Sequence, residues 1–127
     1  MVKIKNLLFD LGGVLLNIDY NKTANAFKKL GAHQFDELYS QSGANHLFEA
    51  LETGQISEID FYSAIQGHCH PAVTHQQIEM AWNAILLNFR AASLDFLATL
   101  KDKYNVYLLS NTNSIHFTAF HKIFRDE

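Results

Sequence analysis

The chain has 127 residues, 48% of them hydrophobic and 18% charged, and a formal net charge of -3. That is about one domain's length with an ordinary globular composition, and the acidic balance gives no electrostatic reason to expect nucleic acid or an anionic membrane as partner. One cysteine, Cys69, cannot form an internal disulfide, which fits a reducing cytoplasm, and no run of about 18 uninterrupted apolar residues is present to span a membrane.

Lys3 and Lys5 precede an apolar stretch, as in a secretory signal, but Asp10 interrupts it and no small-residue cleavage site follows. The chain reads as soluble and intracellular. The stretch Leu7-Leu8-Phe9-Asp10-Leu11-Gly12-Gly13-Val14-Leu15-Leu16 instead predicts a buried parallel strand, roughly Lys3 to Asp10, because such strands are short continuous apolar runs. Asp10 stands at its carboxyl end, where ligands of open α/β sheets gather. Gly12 and Gly13 allow a sharp turn and a close approach of backbone to ligand.

Leu11 to Asp19 reads as a loop or short hairpin. Ala24, Phe27 and Leu30 then recur at helical spacing, with Asp19 or Asn21 to cap the start and Gly31 to end it. Short helices follow around Phe35, Leu38 and Tyr39 and around Leu47, Phe48 and Leu51, the second stopped by Gly54. Ser57-Glu58-Ile59-Asp60 and Thr74-His75-Gln76-Gln77 have capping-box spacing, and open helices carrying Phe61, Tyr62 and Ile65 and then Ile78, Ala81, Trp82 and Ile85. From Leu11 to about Arg90 the pattern is helix after helix without a convincing strand, a compact helical insertion. A further helix, about Ala92 to Lys103, leads into the apolar run Val106-Tyr107-Leu108-Leu109. Ser110-Asn111-Thr112-Asn113 and a last helix with Ile115, Phe117, Phe120 and Phe124 complete a βα unit. The two strands are expected to be parallel, with Asp10 and Ser110 on one edge of a sheet and the insertion covering it.

Leu7-Leu8-Phe9-Asp10-Leu11-Gly12-Gly13-Val14-Leu15 resembles the first motif of the haloacid dehalogenase-like superfamily, and Leu108-Leu109-Ser110-Asn111-Thr112-Asn113 resembles its second. The helical insertion is similar to the superfamily's cap. With Asn17-Ile18-Asp19-Tyr20, the motifs most resemble sugar-phosphate phosphatases of the glucose-1-phosphatase kind. The resemblance implies an α/β fold, a Rossmann-like parallel-sheet core over residues 1–16 and 91–127 with an α-helical cap over 17–90. It implies a Mg²⁺-dependent phosphatase of small phosphorylated metabolites. Asp10 would be the nucleophile that becomes an aspartyl-phosphate, and Asp10 with the Gly12 carbonyl would hold Mg²⁺. The Ser110 hydroxyl and the Asn111 backbone N–H would bind the phosphoryl oxygens.

Two departures from the family pattern bear on activity. The aspartate that usually follows the nucleophile by two residues, as general acid and base, is Gly12 here, and losing such help costs about 10²–10⁴-fold in rate. A halide leaves without a proton, so Gly12 keeps a 2-haloacid dehalogenase-type reaction open as an alternative. The lysine and acidic pair that the family draws from later elements have no counterpart up to Glu127; Lys122, Asp126 and Glu127 are not suitable substitutes. The expectation is an N-terminal part of a longer enzyme with very little turnover by itself, or a non-catalytic helical interaction module. Its incomplete sheet would leave an unpaired edge that promotes self-association.

Among the remaining residues, His68-Cys69-His70 lacks zinc-ligand spacing and reads as a loop before Pro71. His46 lies in the insertion, where it could reach substrate or simply face solvent. Trp82 and the insertion's phenylalanines are at core spacing. No P-loop sequence occurs.

Overall fold

The computed structural model describes residues 2–40 and 47–126. The chain opens with β1 (Asn6–Phe9), β2 (Leu16–Ile18) and α1 (Tyr20–Lys29), followed by α2 (Phe35–Ser40), α3 (Leu47–Glu52), α4 (Glu58–Gln66) and α5 (His75–Asn83). It closes with β3 (Leu86–Phe89), α6 (Ala91–Leu100), β4 (Asn105–Leu108) and α7 (Ser114–Asp126).

Strands β1 and β4 pair in parallel, in register from Asn6 opposite Asn105 to Phe9 opposite Leu108. This is the pairing expected from two apolar runs separated by a helix, but β1 begins at Asn6 rather than Lys3 and is not the buried strand expected, since two strands alone leave Leu8, Tyr107 and Leu108 more than half exposed. The stretch from Leu11 to Arg90 is not purely helical. β2 and β3 form an antiparallel ribbon, with Leu16 opposite Phe89 and Ile18 opposite Leu86. The sequence signal for it is weak because a short apolar run such as Leu86-Leu87-Asn88-Phe89 fits a helix end as well as a strand. Polar side chains cross-link the ribbon's exposed side: Arg90 Nε donates to Asn17 Oδ1 at 2.7 Å, and Asn17 Nδ2 donates to Asn88 Oδ1 at 3.2 Å. Both chain connections between the strand-bearing part and the helices therefore run side by side.

Local chemistry explains the helix boundaries. Asp19 caps α1 by accepting from the Asn21 N–H at 3.0 Å. Gly31 ends it with a φ of +100°, and a Cβ there would lie 2.9 Å from His70, so both conformation and space require glycine. Thr74 and Gln77 form the complete capping box predicted for α5. At α4 the Ser57 side chain accepts from the Asp60 N–H at 3.1 Å, which is half of the predicted box.

Helices α1 to α5 enclose an apolar core in which Phe27, Phe35, Phe61, Ile65 and Ile78 are fully buried and Trp82 is nearly so. Phe27 and Phe35 stack at 4.4 Å between ring centroids, and Phe48, Phe61 and Trp82 pack around them. A second, smaller cluster of Leu11, Leu15, Leu16, Phe89 and Phe120 lies where the ribbon meets α7. α7 serves both, giving Ile115 to the helical core and Phe120 to the second cluster. Among the described residues no helix is long and apolar enough to cross a membrane.

Candidate active site

Asp10 follows the last residue of β1, and Leu109 N–H donates to the Phe9 carbonyl at 2.8 Å, carrying the ladder one step past the assigned strands. Asp10 and Ser110 therefore emerge from the same carboxyl edge of adjacent parallel strands, where this type of sheet collects its ligands. The Leu11 N–H donates to Asp10 Oδ1 at 2.7 Å, which orients the carboxylate and leaves its second oxygen out of that bond.

The loop after Asp10 folds over one carbonyl. The N–H groups of Val14, Leu15 and Leu16 all donate to the Leu11 oxygen, at 3.1, 2.9 and 3.0 Å, and Gly13 N–H donates to the Leu16 oxygen at 2.8 Å. Gly13 takes a φ of +77° to make this turn, a conformation in which a side chain is strained. Gly12 forms a bridge with Leu16, but the bonds come from Leu11 and Gly13, so the Gly12 carbonyl is not consumed by them.

Two concavities lie at this edge. A shallow one of about 330 Å³ is lined by Leu8, Phe9, Asp10, Leu109 and Asn111. A more enclosed one of about 190 Å³ has Gly12, Ser110 and Asn111 on one side and Tyr39, Glu52 and Trp82 of the helical layer on another. Asn111 lines both, whereas Asp10 lines only the first and Gly12 and Ser110 only the second. A cavity of about 380 Å³ beside Gly31, Phe35 and His68 shares no lining residue with either, and its size alone gives it no chemistry.

The turn carrying Ser110 and Asn111 is fixed by a buried residue further along. Asn113 accepts the His116 N–H on Oδ1 at 2.9 Å, the arrangement of a residue capping α7. Its Nδ2 lies 3.2 Å from His116 Nδ1, and His116 Nε2 lies 3.0 Å from the Trp82 carbonyl. Only a neutral ring protonated at Nε2 satisfies both contacts, donating to Trp82 and accepting from Asn113. Burial holds the His116 pKa below its ordinary 6.5, outweighing the opposing pull of the Trp82 carbonyl. The ring stacks on Trp82 at 4.5 Å. Neither Asn113 nor His116 was assigned a function from sequence, though Asn113-Ser114-Ile115-His116 has the spacing of a cap and its third helical residue.

Other predicted positions lie elsewhere. His68 and His70 are exposed, and Cys69 is half-buried against the helical core with its thiol pKa raised by burial. Among the described residues no three His, Cys, Asp or Glu side chains converge as metal ligands. Lys122 and Asp126 are exposed on α7. His46 and Glu127 lie outside the described residues.

The chain is thus of the α/β class, with a carboxylate and a hydroxyl at the carboxyl ends of adjacent parallel strands, where such sheets collect ligands. No family model matches the chain. Its sequence is 37% identical over 113 residues to a D-ribitol-5-phosphate phosphatase of Bacteroides thetaiotaomicron, an alignment covering 87% of this chain and 53% of that one. Its structure matches a HAD family enzyme of the same organism, solved in complex with magnesium and inorganic phosphate, with TM-score 0.86 and 41% identity over 94% of this chain and 59% of that one. A predicted HAD-like family hydrolase from Porphyromonas gingivalis matches with TM-score 0.76 and 33% identity, covering 88% of this chain and 53% of that one. The chain thus spans little more than half the length of these relatives. It belongs to the haloacid dehalogenase-like superfamily.

Proposed function

We propose that the carboxyl edge of β1 and β4 is the phosphoryl-transfer site of a phosphatase for small phosphorylated metabolites, and that residues 17–90 form its cap over a core of residues 1–16 and 91–127. The observation that carries this reading is the placement of Asp10 opposite the Ser110–Asn111 turn on adjacent parallel strands.

Asp10 presents an oriented carboxylate whose free oxygen attacks phosphorus as the bond to the leaving alkoxide breaks. The resulting aspartyl-phosphate is released by water. Ser110 Oγ and the Asn111 N–H serve as donors to the phosphoryl oxygens as charge develops on them. The Asp10 carboxylate and the Gly12 carbonyl are hard oxygen donors of the type Mg²⁺ takes, and that ion keeps several waters as further ligands. Bound Mg²⁺ supplies the positive charge that lets a carboxylate and a phosphate dianion approach. Gly12 has no proton for the leaving alkoxide, and both ring nitrogens of His116 are engaged, so neither fills the general-acid role.

The test is calorimetric titration of the chain with inorganic phosphate in Mg²⁺, beside Asp10→Asn. Mg²⁺-dependent binding that disappears in the variant is expected; binding indifferent to both metal and variant would overturn the reading in favour of a non-catalytic module. Gly12 favours one rival, since a halide needs no protonation. Release of halide from a 2-haloacid without Mg²⁺ would move the assignment to a dehalogenase.

A further inference from the structure

The turn that carries Ser110 and Asn111 is held by hydrogen bonds at its two ends. Before it, the Leu109 N–H donates to the Phe9 carbonyl at 2.8 Å. After it, Asn113 is clamped by His116, accepting the His116 N–H on Oδ1 at 2.9 Å and presenting Nδ2 to the ring at 3.2 Å. Between these ends Ser110, Asn111 and Thr112 make no hydrogen bond among the described residues. Their N–H groups are thus left for a ligand, and their placement depends on the two ends. Ser110, Asn111, Asn113 and His116 all line the cavity of about 190 Å³, so the clamp borders the same space as the turn.

The clamp works for one protonation state of the ring. An amide side chain has a donor end and an acceptor end. Oδ1 is committed to the backbone N–H, so Nδ2 faces Nδ1, and the contact holds only while Nδ1 keeps its lone pair. A proton on Nδ1 sets donor against donor. Turning the amide over brings Oδ1 to the ring but sets Nδ2 against the His116 N–H and gives up the cap of α7. One of the two bonds is lost either way. Nε2–H donates to the Trp82 carbonyl at 3.0 Å in both states, and the ring stacks on the indole. Protonation therefore leaves the ring with α5 and releases Asn113.

The surroundings favour the neutral ring. Burial holds its pKa below the ordinary value, so the clamping form prevails near neutral pH. Tyr39 of α2 and Glu52 of α3 are the other titratable groups lining the cavity. α5 and β3 pack against α7. β3 has no titratable residue, and on α5 His75 packs on Tyr62 while Glu79 acts on that same phenol. On α7 itself His121 stacks on Phe117, and Lys122, Arg125 and Asp126 are exposed.

We propose that His116 is a positioning residue for phosphoryl binding: as a neutral ring it holds Asn113 and with it the far end of the Ser110–Asn111 turn, and on taking up a proton it releases them, so that anion affinity at the turn falls. This rests on the phosphatase reading of Ser110 and Asn111 and adds a proton-controlled clamp to it.

The test uses sulfate in Mg²⁺, a phosphate-shaped dianion whose charge is constant across the histidine range of about pH 5.5 to about pH 7.5. Calorimetry should give an affinity about fivefold lower with the ring protonated, the equivalent of one neutral hydrogen bond. NMR of the ring nuclei should show saturating sulfate lowering the His116 pKa, as reciprocity of the coupling requires. His116→Asn and His116→Gln do not titrate and should each give a flat profile, the asparagine variant binding more tightly because its Oδ1 reaches the place of Nδ1. Glu52→Gln should keep the slope. If neither His116 variant folds, the NMR shift in the unsubstituted chain decides. A profile that is flat, that rises toward acid, that survives both His116 substitutions or that is lost in Glu52→Gln overturns the clamp alone, as does a His116 pKa indifferent to sulfate. Sulfate binding that is missing at every pH, or that is unchanged by removing Mg²⁺ and by Asp10→Asn, overturns the phosphatase reading and the clamp with it.

Discussion

Asn113→Ala is the most informative single change, because one buried side chain performs two separable jobs. Its Oδ1 caps α7 through the His116 N–H, and its Nδ2–H satisfies His116 Nδ1. Losing an asparagine cap costs about 1 kcal/mol, and depriving a half-buried ring nitrogen of its donor costs about another 1 kcal/mol. The expected loss is about 2 kcal/mol. With a urea dependence of about 2 kcal/mol per molar, the unfolding midpoint followed by circular dichroism should fall by about 1 M. Asn113→Asp separates the two jobs. A carboxylate caps a helix as well as an amide and suits the positive N-terminal end of the helix dipole, but it sets an acceptor against the Nδ1 lone pair. This variant should lose only the histidine bond at pH 8 and recover stability near pH 5.5, where a protonated His116 donates to it. A midpoint shift below about 0.2 M for Asn113→Ala, or identical pH profiles for the two variants, would refute the two-job account.

Protonation of His116 gives a second prediction. Its folded-state pKa lies below the ordinary 6.5 because of burial, so the unfolded chain takes up the proton first. The stabilisation is complete above about pH 6.5 and is lost as pH falls through the lower folded-state value; thermal scans from pH 7.5 to 5 should show a decline that is smaller in His116→Phe, and parallel curves would count against it. Gly12→Asp should fold, since a Cβ at Gly12 meets only the flexible end of Ile18, at 3.3 Å. In that variant Mg²⁺-dependent hydrolysis of an alkyl phosphate should rise by about 10²-fold or more, whereas an aryl phosphate whose leaving group needs no proton should change little; equal gains on both would reject general-acid action. Leu8 and Tyr107, paired across β1 and β4, are both more than half exposed, which predicts concentration-dependent self-association in sedimentation and its reduction by Leu8→Lys. A clean monomer at high concentration would contradict this.

The parts of the fold that were legible in the sequence are those in which one local rule dominates. Leu7-Leu8-Phe9 and Val106-Tyr107-Leu108 announced parallel strands as unbroken apolar runs, and Asp19, Gly31 and Thr74 marked helix ends by their own side-chain or backbone chemistry. The β2–β3 ribbon escaped because neither strand is stable or distinctive alone. Leu16-Asn17-Ile18 acquires its pairing only when Phe89 and Leu86, some seventy residues on, arrive opposite it. The site divides the same way. Asp10 and Ser110 stand out by position after a strand, whereas Asn113 and His116 matter through a carbonyl on a different helix that no sequence spacing reveals.

Trp82 shows why assigning a residue to core or site by type alone is too coarse. Its ring fills the helical core as periodicity predicts. Its backbone carbonyl accepts from His116 and also lies 3.0 Å from the Thr23 hydroxyl, which is 2.7 Å from the Ala81 carbonyl and shares its one proton between them. Those carbonyls belong to the last turn of α5, where helix carbonyls need partners from outside the ladder; Ala81's also takes a long bond of 3.4 Å from the Ala84 N–H. The end of α5 is thereby held from α1 on one side and from α7 on the other. α7 follows the turn that carries Ser110 and Asn111, so the helical layer is registered against that turn by directional hydrogen bonds in addition to the apolar contact of Ile115. The single residue Trp82 thus joins the helical core through its ring and the Ser110–Asn111 turn through its carbonyl.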